Sequence, residues 1–429
     1  MDAPRPQPLD VIDVFDAIAA GLRREDGRWT VQVGALLMRS RFQPIYSLSH
    51  GRVVGHEALL RAERADGTAV EPPVALRGDG SFADLLRSDR SARMIHTLNF
   101  AEMSGPAHWL FFNMPPQVFV AMPRLMQDGF QRALMARCGL QGHQMVLEVL
   151  EEAVPDGADF ESALRTARAT GCLIALDDFG SGQSNFDRVW QLRPEIVKLD
   201  RSLVRRAALD RQARGVVRHM VSLLHQCGAL VLLEGIETQE EAFVALESQA
   251  DLVQGDLFAR PVPALVPTTD VPQALDQLWN DYEARRADDQ RSYQARIRPY
   301  INAIGYASAL LADGRTLAEA TAGFLELPQS EVCYLLDRDA RQIGDNLWSA
   351  RRPAIDLPAF APMRETQGSH WARRPYYRRA MESVGEVQVT RPYRTLHGAH
   401  LCVTVSVAFR ANGSLQVVCG DLGWDADWG

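Results

Sequence analysis

The sequence predicts an α/β chain: a (β/α)8 TIM-like barrel with one antiparallel strand, then a connector helix and a smaller α+β domain. Three observations carry this expectation. Between residues 42 and 258, eight short apolar runs recur, mostly separated by stretches with a helical period. The first two runs are joined only by residues 49–52, a connection that links antiparallel neighbours and is too short for a parallel crossover. Beyond Pro261 the pattern changes, first to one long charged helical stretch and then to helix and hairpin signals.

Taken in order, residues 1–9 read as a lead-in and 11–22 have helical apolar spacing. Strands are expected near 42–48, 53–60, 110–114, 145–150, 172–176, 196–199, 230–233 and 252–258. Helical patterns occupy 82–103, 118–138, 159–169, 203–227 and 239–246. Pro261, Pro263 and Pro267 mark a hinge, and residues 272–312 read as one helix, strongly charged over 282–298. That helix is either a connector that carries a signal or a solvated spacer. Further on come a helix at 316–325, strands at 332–336 and 342–347 around Asp337, and strands at 400–409 and 414–422 joined at Asn412 and Gly413. The expected domains are 1–268 (barrel), 269–312 (connector) and 313–429 (smaller domain).

Composition narrows the function. The 429 residues are 46% hydrophobic and 23% charged, with a net charge of -8. This describes a globular protein without the basic face that a nucleic-acid polymer requires, while a small anion held through metal ions stays open. Six cysteines are scattered without a Cys-x-x-Cys pair and read as buried reduced thiols, which suits a cytoplasmic location. No run of about 18 apolar residues occurs, so no membrane span is expected.

In barrels of this kind chemistry gathers at the carboxyl ends of the strands. Residues 173–182, LIALDDFGSG, deliver Asp177 and Asp178 from an apolar run directly into a glycine loop. Adjacent carboxylates at a buried strand end need cations or donors to offset their repulsion. Other strand ends carry Glu57, Asn113, Glu148 with Glu151, Lys198, Glu234 with Glu237, and Gln254. Hard oxygen ligands without histidine or cysteine favour magnesium or manganese. Asp177 is placed to bridge two ions about 3.5–4 Å apart, with Lys198 orienting a water or offsetting phosphate charge. The same residues also suit proton abstraction with one magnesium and a lysine base. Plainer roles exist too: Lys198 paired with Asp200, Glu237 capping the helix after Thr238, and Gln254 satisfying barrel backbone groups.

These blocks resemble the EAL-domain phosphodiesterases, which open the bacterial second messenger cyclic di-GMP. Glu57, Ala58 and Leu59 stand within GHEALLR, followed in order by FFNMPP, LEVLEE, ALDDFGSGQSNF, PEIVKLDRSLV, LLEGIET and QGDLFARP. The resemblance implies two Mg2+ or Mn2+ ions, one bound by Glu57, Asn113, Glu148 and Asp177, the other by Asp177, Asp178 and Glu234. It further implies that Lys198 positions the water, that Glu237 and Gln254 fill further active-site positions, and that Arg61 contacts the nucleotide. Arg61 also reads as a surface partner of Glu63 or Asp66. Glu151 would tether the loop 178–185, which in this family joins homodimer formation to metal binding, and the product would be linear pGpG. Gln183, Asn185 and Asp256 stand where the family usually has tyrosine, serine and tyrosine; they bear on loop closure, rate and dimer coupling. A catalytically silent cyclic di-GMP receptor signalling through the connector is the alternative.

Residues 370–393 and the strands after them resemble PAS/Cache-like ligand-sensing domains. The resemblance implies a pocket for an unknown small ligand, such as a carboxylate or an amine, lined by Trp371, Arg374, Tyr376, Tyr377 and Asp421. The same aromatics also read as core packing, and the domain as a dimerisation module.

Overall fold

The computed structural model describes residues 11–105, 108–125, 129–150, 158–182, 186–270, 272–351, 365–394 and 401–424. The chain divides into two compact units, Met1–Tyr282 and Glu283–Gly429. The division falls inside a 40-residue helix, Gln273–Ala312.

The first unit opens with a helix, Val11–Ala19, and a hairpin of β1 (Leu22–Glu25) and β2 (Arg28–Val33). Asp26 and Gly27 turn it, both at positive φ, the geometry that a tight two-residue hairpin requires. Then come β3 (Leu36–Ser47), β4 (Arg52–Arg64), β5 (Ala69–Val70), β6 (Trp109–Asn113), β7 (Met145–Leu150), β8 (Leu173–Phe179), β9 (Ile196–Leu199), β10 (Leu230–Leu233) and β11 (Leu252–Val253). The sheet runs β1-β2-β3-β11-β10-β9-β8-β7-β6-β4-β5, and β3 also pairs with β4. Eight strands, β3, β4 and β6 to β11, therefore close into a barrel. Strand β3 is antiparallel to both its neighbours, and the other six barrel pairings are parallel. The reversed strand is the one that the short connection at 49–52 predicts.

Three expectations change. The run 252–258 is a strand only at Leu252–Val253, because Gly255 lies so close to the next loop that a Cβ there would sit 2.1 Å from the Ile236 carbonyl oxygen. The pattern 118–138 is two helices, Pro116–Leu125 and Phe130–Cys138, the second beginning after Gly129 in the left-handed region. The pattern 203–227 is also two, Arg201–Leu209 and Arg211–Gln226, divided at Asp210, whose carboxylate accepts from the Gln212 amide at 2.8 Å and starts a new helix.

Residues alternate across each strand, and the barrel uses both sides. Outward residues such as Leu110, Leu147, Ile174, Val197 and Val231 join the helices in one large core. Inward residues form a separate cluster with one member from each of seven strands: Ile45, Phe111, Val146, Ala175, Ile196, Leu232 and Leu252. The eighth strand contributes Gly55, where a Cβ would lie 2.9 Å from the Phe111 ring. This layer is the apolar floor of the barrel.

The second unit is an antiparallel sheet. It contains β12 (Ser330–Leu336), β13 (Gln342–Trp348), β14 (Gln388–Val389), β15 (Tyr393–Arg394), β16 (Leu401–Ala411) and β17 (Ser414–Trp424), in the order β13-β12-β17-β16-β14 with β15 beside β16. Alternation in β12 sends Cys333 and Leu335 to one face, against Ile297, Tyr300, Ile304 and Phe324 of two helices. Val332, Tyr334 and Leu336 go to the other, against Tyr376, Tyr377 and Ala380 of helix Pro375–Glu382. Among the described residues no helix is long and apolar enough to cross a membrane.

Candidate functional site

The site follows from the floor layer by counting. Two residues nearer the carboxyl ends of the parallel strands, the next inward positions are Glu57, Asn113, Glu148, Asp177, Lys198, Glu234 and Gln254. On reversed β3 the count runs backwards from Ile45 to Gln43, which lies in register with Glu57. A ring of eight polar residues, one per strand, thus sits directly on the apolar floor.

The ring is knit together at its centre by Lys198, which is 1% exposed. Its ammonium is ion-paired with Glu148, lies 2.5 Å from Glu234 Oε1 and 3.0 Å from Asp177 Oδ1, and is 4.0 Å from Glu57 Oε2. Glu57 is held from both sides: Asn113 Nδ2 donates to Oε1 at 3.1 Å and Gln254 Nε2 to Oε2 at 2.6 Å. Gln254 also donates to Gln43 Oε1 at 3.1 Å, and Gln43 donates to Asp256 Oδ1 at 3.4 Å. Asp178 adds a further carboxylate at the end of β8, with its backbone in the left-handed region at φ 58°.

Burial and crowding of like charge set the protonation of these groups. Burial raises the Glu148 carboxyl well above its ordinary range; Lys198 opposes the rise, and Glu57, Asp177 and Glu234 add to it. Burial likewise lifts Glu234 to about 8, against Lys198 and with Asp177 and Glu57. Asp178 is raised to about 6 by burial and by Asp177. For Lys198, burial works against the charge, but Asp177, Glu148, Glu234 and Glu57 outweigh it and hold the ammonium protonated.

A divalent cation fits this donor set. Glu148 Oε2 is buried without a hydrogen-bond partner among the described residues, a costly arrangement for a carboxylate oxygen unless something positive meets it. Ligand atoms of Glu57, Glu148 and Glu234 lie within 4.8 Å of one another, as do those of Asp177, Asp178 and Glu234. The two groups share Glu234. All are hard oxygen donors, which suit magnesium, manganese or calcium.

Comparison with known proteins agrees with this geometry. The EAL domain family profile matches residues 32–261, more than half of the chain and the whole of the closed barrel. The chain belongs to the EAL domain family. The cyclic di-GMP phosphodiesterase RocR of Pseudomonas aeruginosa is 27% identical over 231 residues, 52% of this chain and 57% of that protein. The cyclic di-GMP phosphodiesterase PdeL of Escherichia coli is 26% identical over 226 residues, 52% of this chain and 61% of that protein. The chain thus spans under two thirds of the length of either relative. In fold it is similar to the YkuI protein of Bacillus subtilis, which has an EAL domain and was solved in complex with substrate c-di-GMP and calcium. That likeness has a TM-score of 0.76 at 19% identity and covers 97% of this chain and 100% of the other.

Within the EAL barrel, not every expected residue joins the ring. Glu237 is 43% exposed and pairs with Arg201 at 2.5 Å. Its neighbour Thr238 caps the following helix, together with Glu241, in a capping box. Arg61 is exposed and donates to the carbonyl of Leu60 at 2.9 Å, while Glu63 pairs with Arg39. Asp200 accepts from the Ser202 amide at 2.9 Å as a helix cap and forms no described pair with Lys198. Glu151, Gln183 and Asn185 lie outside the described residues. Gln43 is the ring member that sequence reasoning missed; a glutamine in the apolar run FQPI was its one signal.

In the second unit, Asp421 is 3% exposed, and its Oδ1 accepts from Thr404 Oγ1 at 2.7 Å and Tyr334 OH at 3.4 Å. The Tyr376 ring lies 6.1 Å from that of Tyr334 and 6.4 Å from that of Tyr393. The Arg374 guanidinium stands over Tyr393 at 5.5 Å and over Trp371 at 5.9 Å. Tyr377 points elsewhere and donates to the Arg338 carbonyl at 2.6 Å. Tyr334, Tyr393 and Thr404 complete a polar and aromatic cluster that the sequence reading had only in part.

Proposed function

We propose that the chain hydrolyses cyclic di-GMP to linear pGpG with two divalent cations, magnesium or manganese, at the mouth of the EAL barrel. The observation that carries this reading is the charge of the ring. Five carboxylates, Glu57, Glu148, Asp177, Asp178 and Glu234, face the single ammonium of Lys198. Once cations displace the protons that burial keeps on Glu148 and Glu234, four negative charges remain, which two divalent cations balance. In this reading Glu57, Asn113, Glu148 and Asp177 hold one cation and Asp177, Asp178 and Glu234 the other, with Glu234 in reach of both. Bound there, the cations supply Lewis acidity at the phosphoryl oxygens and lower the pKa of the attacking water.

The chain's own groups do the rest. Lys198, kept protonated by its carboxylates, offsets charge that builds on the phosphate and orients the water for in-line attack. Attack at phosphorus breaks the P–O3′ bond and leaves a 5′-phosphate and a free 3′-hydroxyl. Asn113 and Gln254 fix the Glu57 carboxylate, and the apolar floor keeps bulk water from reaching the ring from below. The second unit acts as the sensing domain, with Trp371, Arg374, Tyr376 and Asp421 around its ligand, and regulates the barrel.

The test is incubation of the purified chain with cyclic di-GMP and magnesium or manganese, following pGpG by chromatography, with Glu57→Ala alongside. Metal-dependent product that disappears in the variant supports the reading. Tight binding without product would replace it with a receptor, and neither binding nor product would end it.

A further inference from the structure

Cyclic di-GMP carries two phosphodiesters, and the ring of the barrel serves only the one being opened. The second brings another negative charge to a mouth already rich in carboxylates, so it needs a cation of its own. Lys198 is 1% exposed and surrounded by acids, and therefore cannot serve it.

Arg201 is placed differently. It follows the end of β9 by two residues, and its side chain is 47% exposed. The backbone there is clamped twice: the Asp200 amide donates to the Phe179 carbonyl at 3.0 Å, beside Asp177 and Asp178, and the Asp200 carboxylate accepts from the Ser202 amide. The arginine stem then lies flat on Gly235, next to Glu234. A Cβ at Gly235 would stand 2.6 Å from Arg201 Cβ and Cγ and 2.7 Å from Cδ, and the glycine has φ 63°. At its tip the guanidinium meets Glu237 Oε2 at 2.5 Å. Glu237 is itself fixed, since the amides of Glu237 and Thr238 both donate to Glu241 Oε2, at 2.7 and 3.0 Å. One carboxylate occupies at most two of the five guanidinium N–H groups, so donors remain for an anion.

We propose that Arg201, seated on Gly235 and steered by Glu237, binds the second, uncleaved phosphodiester of the ligand and so selects a cyclic dinucleotide over a simple diester. The proposal rests on the cyclic di-GMP reading above. Arg201 is a specificity residue in this account, and Glu237 and Gly235 position it.

The experiment compares kcat/KM for cyclic di-GMP with kcat/KM for bis(p-nitrophenyl) phosphate, a diester with one phosphate, using the full chain with manganese. In Arg201→Ala, the ratio of the two is expected to fall about 10- to 100-fold, the worth of a charge-assisted hydrogen bond to phosphate, with the loss in KM. Arg201→Lys should recover part of it, since a point charge remains. Gly235→Ala should lower the ratio in the same direction by displacing the arginine stem. Equal loss on both esters in Arg201→Ala, or an unchanged ratio in an active protein, would overturn the role given to Arg201. A wild-type chain that neither binds nor hydrolyses cyclic di-GMP would instead sink the substrate reading, and this proposal with it.

Discussion

Replacing Asp421 by asparagine tests the buried cluster of the second unit through its pH response. Burial lifts this carboxyl from 3.8 to about 7, while its hydrogen bond from Thr404 works in the other direction. Glu331 and Arg374 are the other charged groups that act on it; Tyr334, Tyr376, Tyr393, Cys402 and Cys419 around it are all raised and keep their protons. Between pH 4 and 7 the folded chain holds a proton on Asp421 that the unfolded chain has already lost. Stability from this group is therefore full below pH 4, declines as pH rises to 7, and is level above that. Three pH units of separation correspond to a decline of about 4 kcal/mol at most. Cys333, Cys402 and Cys419 are each 0% exposed and lie in this unit, so urea-dependent thiol labelling, read peptide by peptide in a mass spectrometer, reports its unfolding. The wild-type urea midpoint for these three thiols should fall from pH 5 to pH 7. In Asp421→Asn, where the titrating group is gone and the Thr404 hydroxyl still has an acceptor, the midpoint should stay nearly flat. An equal slope in both proteins would refute the assignment of the buried proton to Asp421.

Other perturbations address the barrel. Asp177→Asn should abolish pGpG formation, because Asp177 contributes to both proposed cation sites; near-normal turnover would defeat the two-cation reading. Gln254→Ala removes one of the two donors that hold Glu57 and should weaken manganese binding by about 10- to 100-fold in a calorimetric titration, with the fold intact by circular dichroism. Gly55→Ala puts a methyl 2.9 Å from the Phe111 ring in the barrel floor and should cost about 1–3 kcal/mol in urea unfolding. Chelation with EDTA should stop hydrolysis and lower the melting temperature, and added manganese should restore both, since a cation that binds only the folded ring stabilises it by mass action.

How much of this was legible beforehand depends on which residues carried a local signal. The barrel's one reversed strand could be read from the length of the connection at 49–52, because chain reach alone forbids a parallel crossover there. Six of the eight ring residues follow apolar runs and so announce themselves, and Glu57 is marked by the Glu-Ala-Leu triplet within GHEALLR. Gln43 does not, because on an antiparallel strand the inward position next to the mouth precedes the floor residue Ile45 instead of following it. The hairpin Leu22–Val33 went unread because β1 is largely charged and half exposed, so its pairing leaves little hydrophobic alternation, although Asp26-Gly27 was a usable turn signal. The division of the helix at Asp210 was written in a capping residue that the apolar period masked. Glu237 has the right residue type at a strand end, yet its partner Arg201 is reached only because Gly235 lets an arginine stem pass, a fact of three dimensions. Likewise, Asp421 was marked by its place on the last strand, whereas Tyr334 and Thr404 come from strands whose pairing to β17 sets the cluster.

The closing seam of the barrel is short, no longer than the pairing of β10 with β11. Strand β11 meets β3 through only two residue pairs, Leu252 with Ser47 and Val253 with Tyr46, reinforced by the bridge between Phe42 and Val262. Some two hundred residues are made between the two halves of that latch, so a growing chain cannot seal its cylinder until the segment around 252–262 has emerged. That segment also carries Gln254, which grips Glu57, and Asp256, which meets Gln43. The fastener and the trigger are one piece of chain, and an incomplete cylinder has no assembled ring.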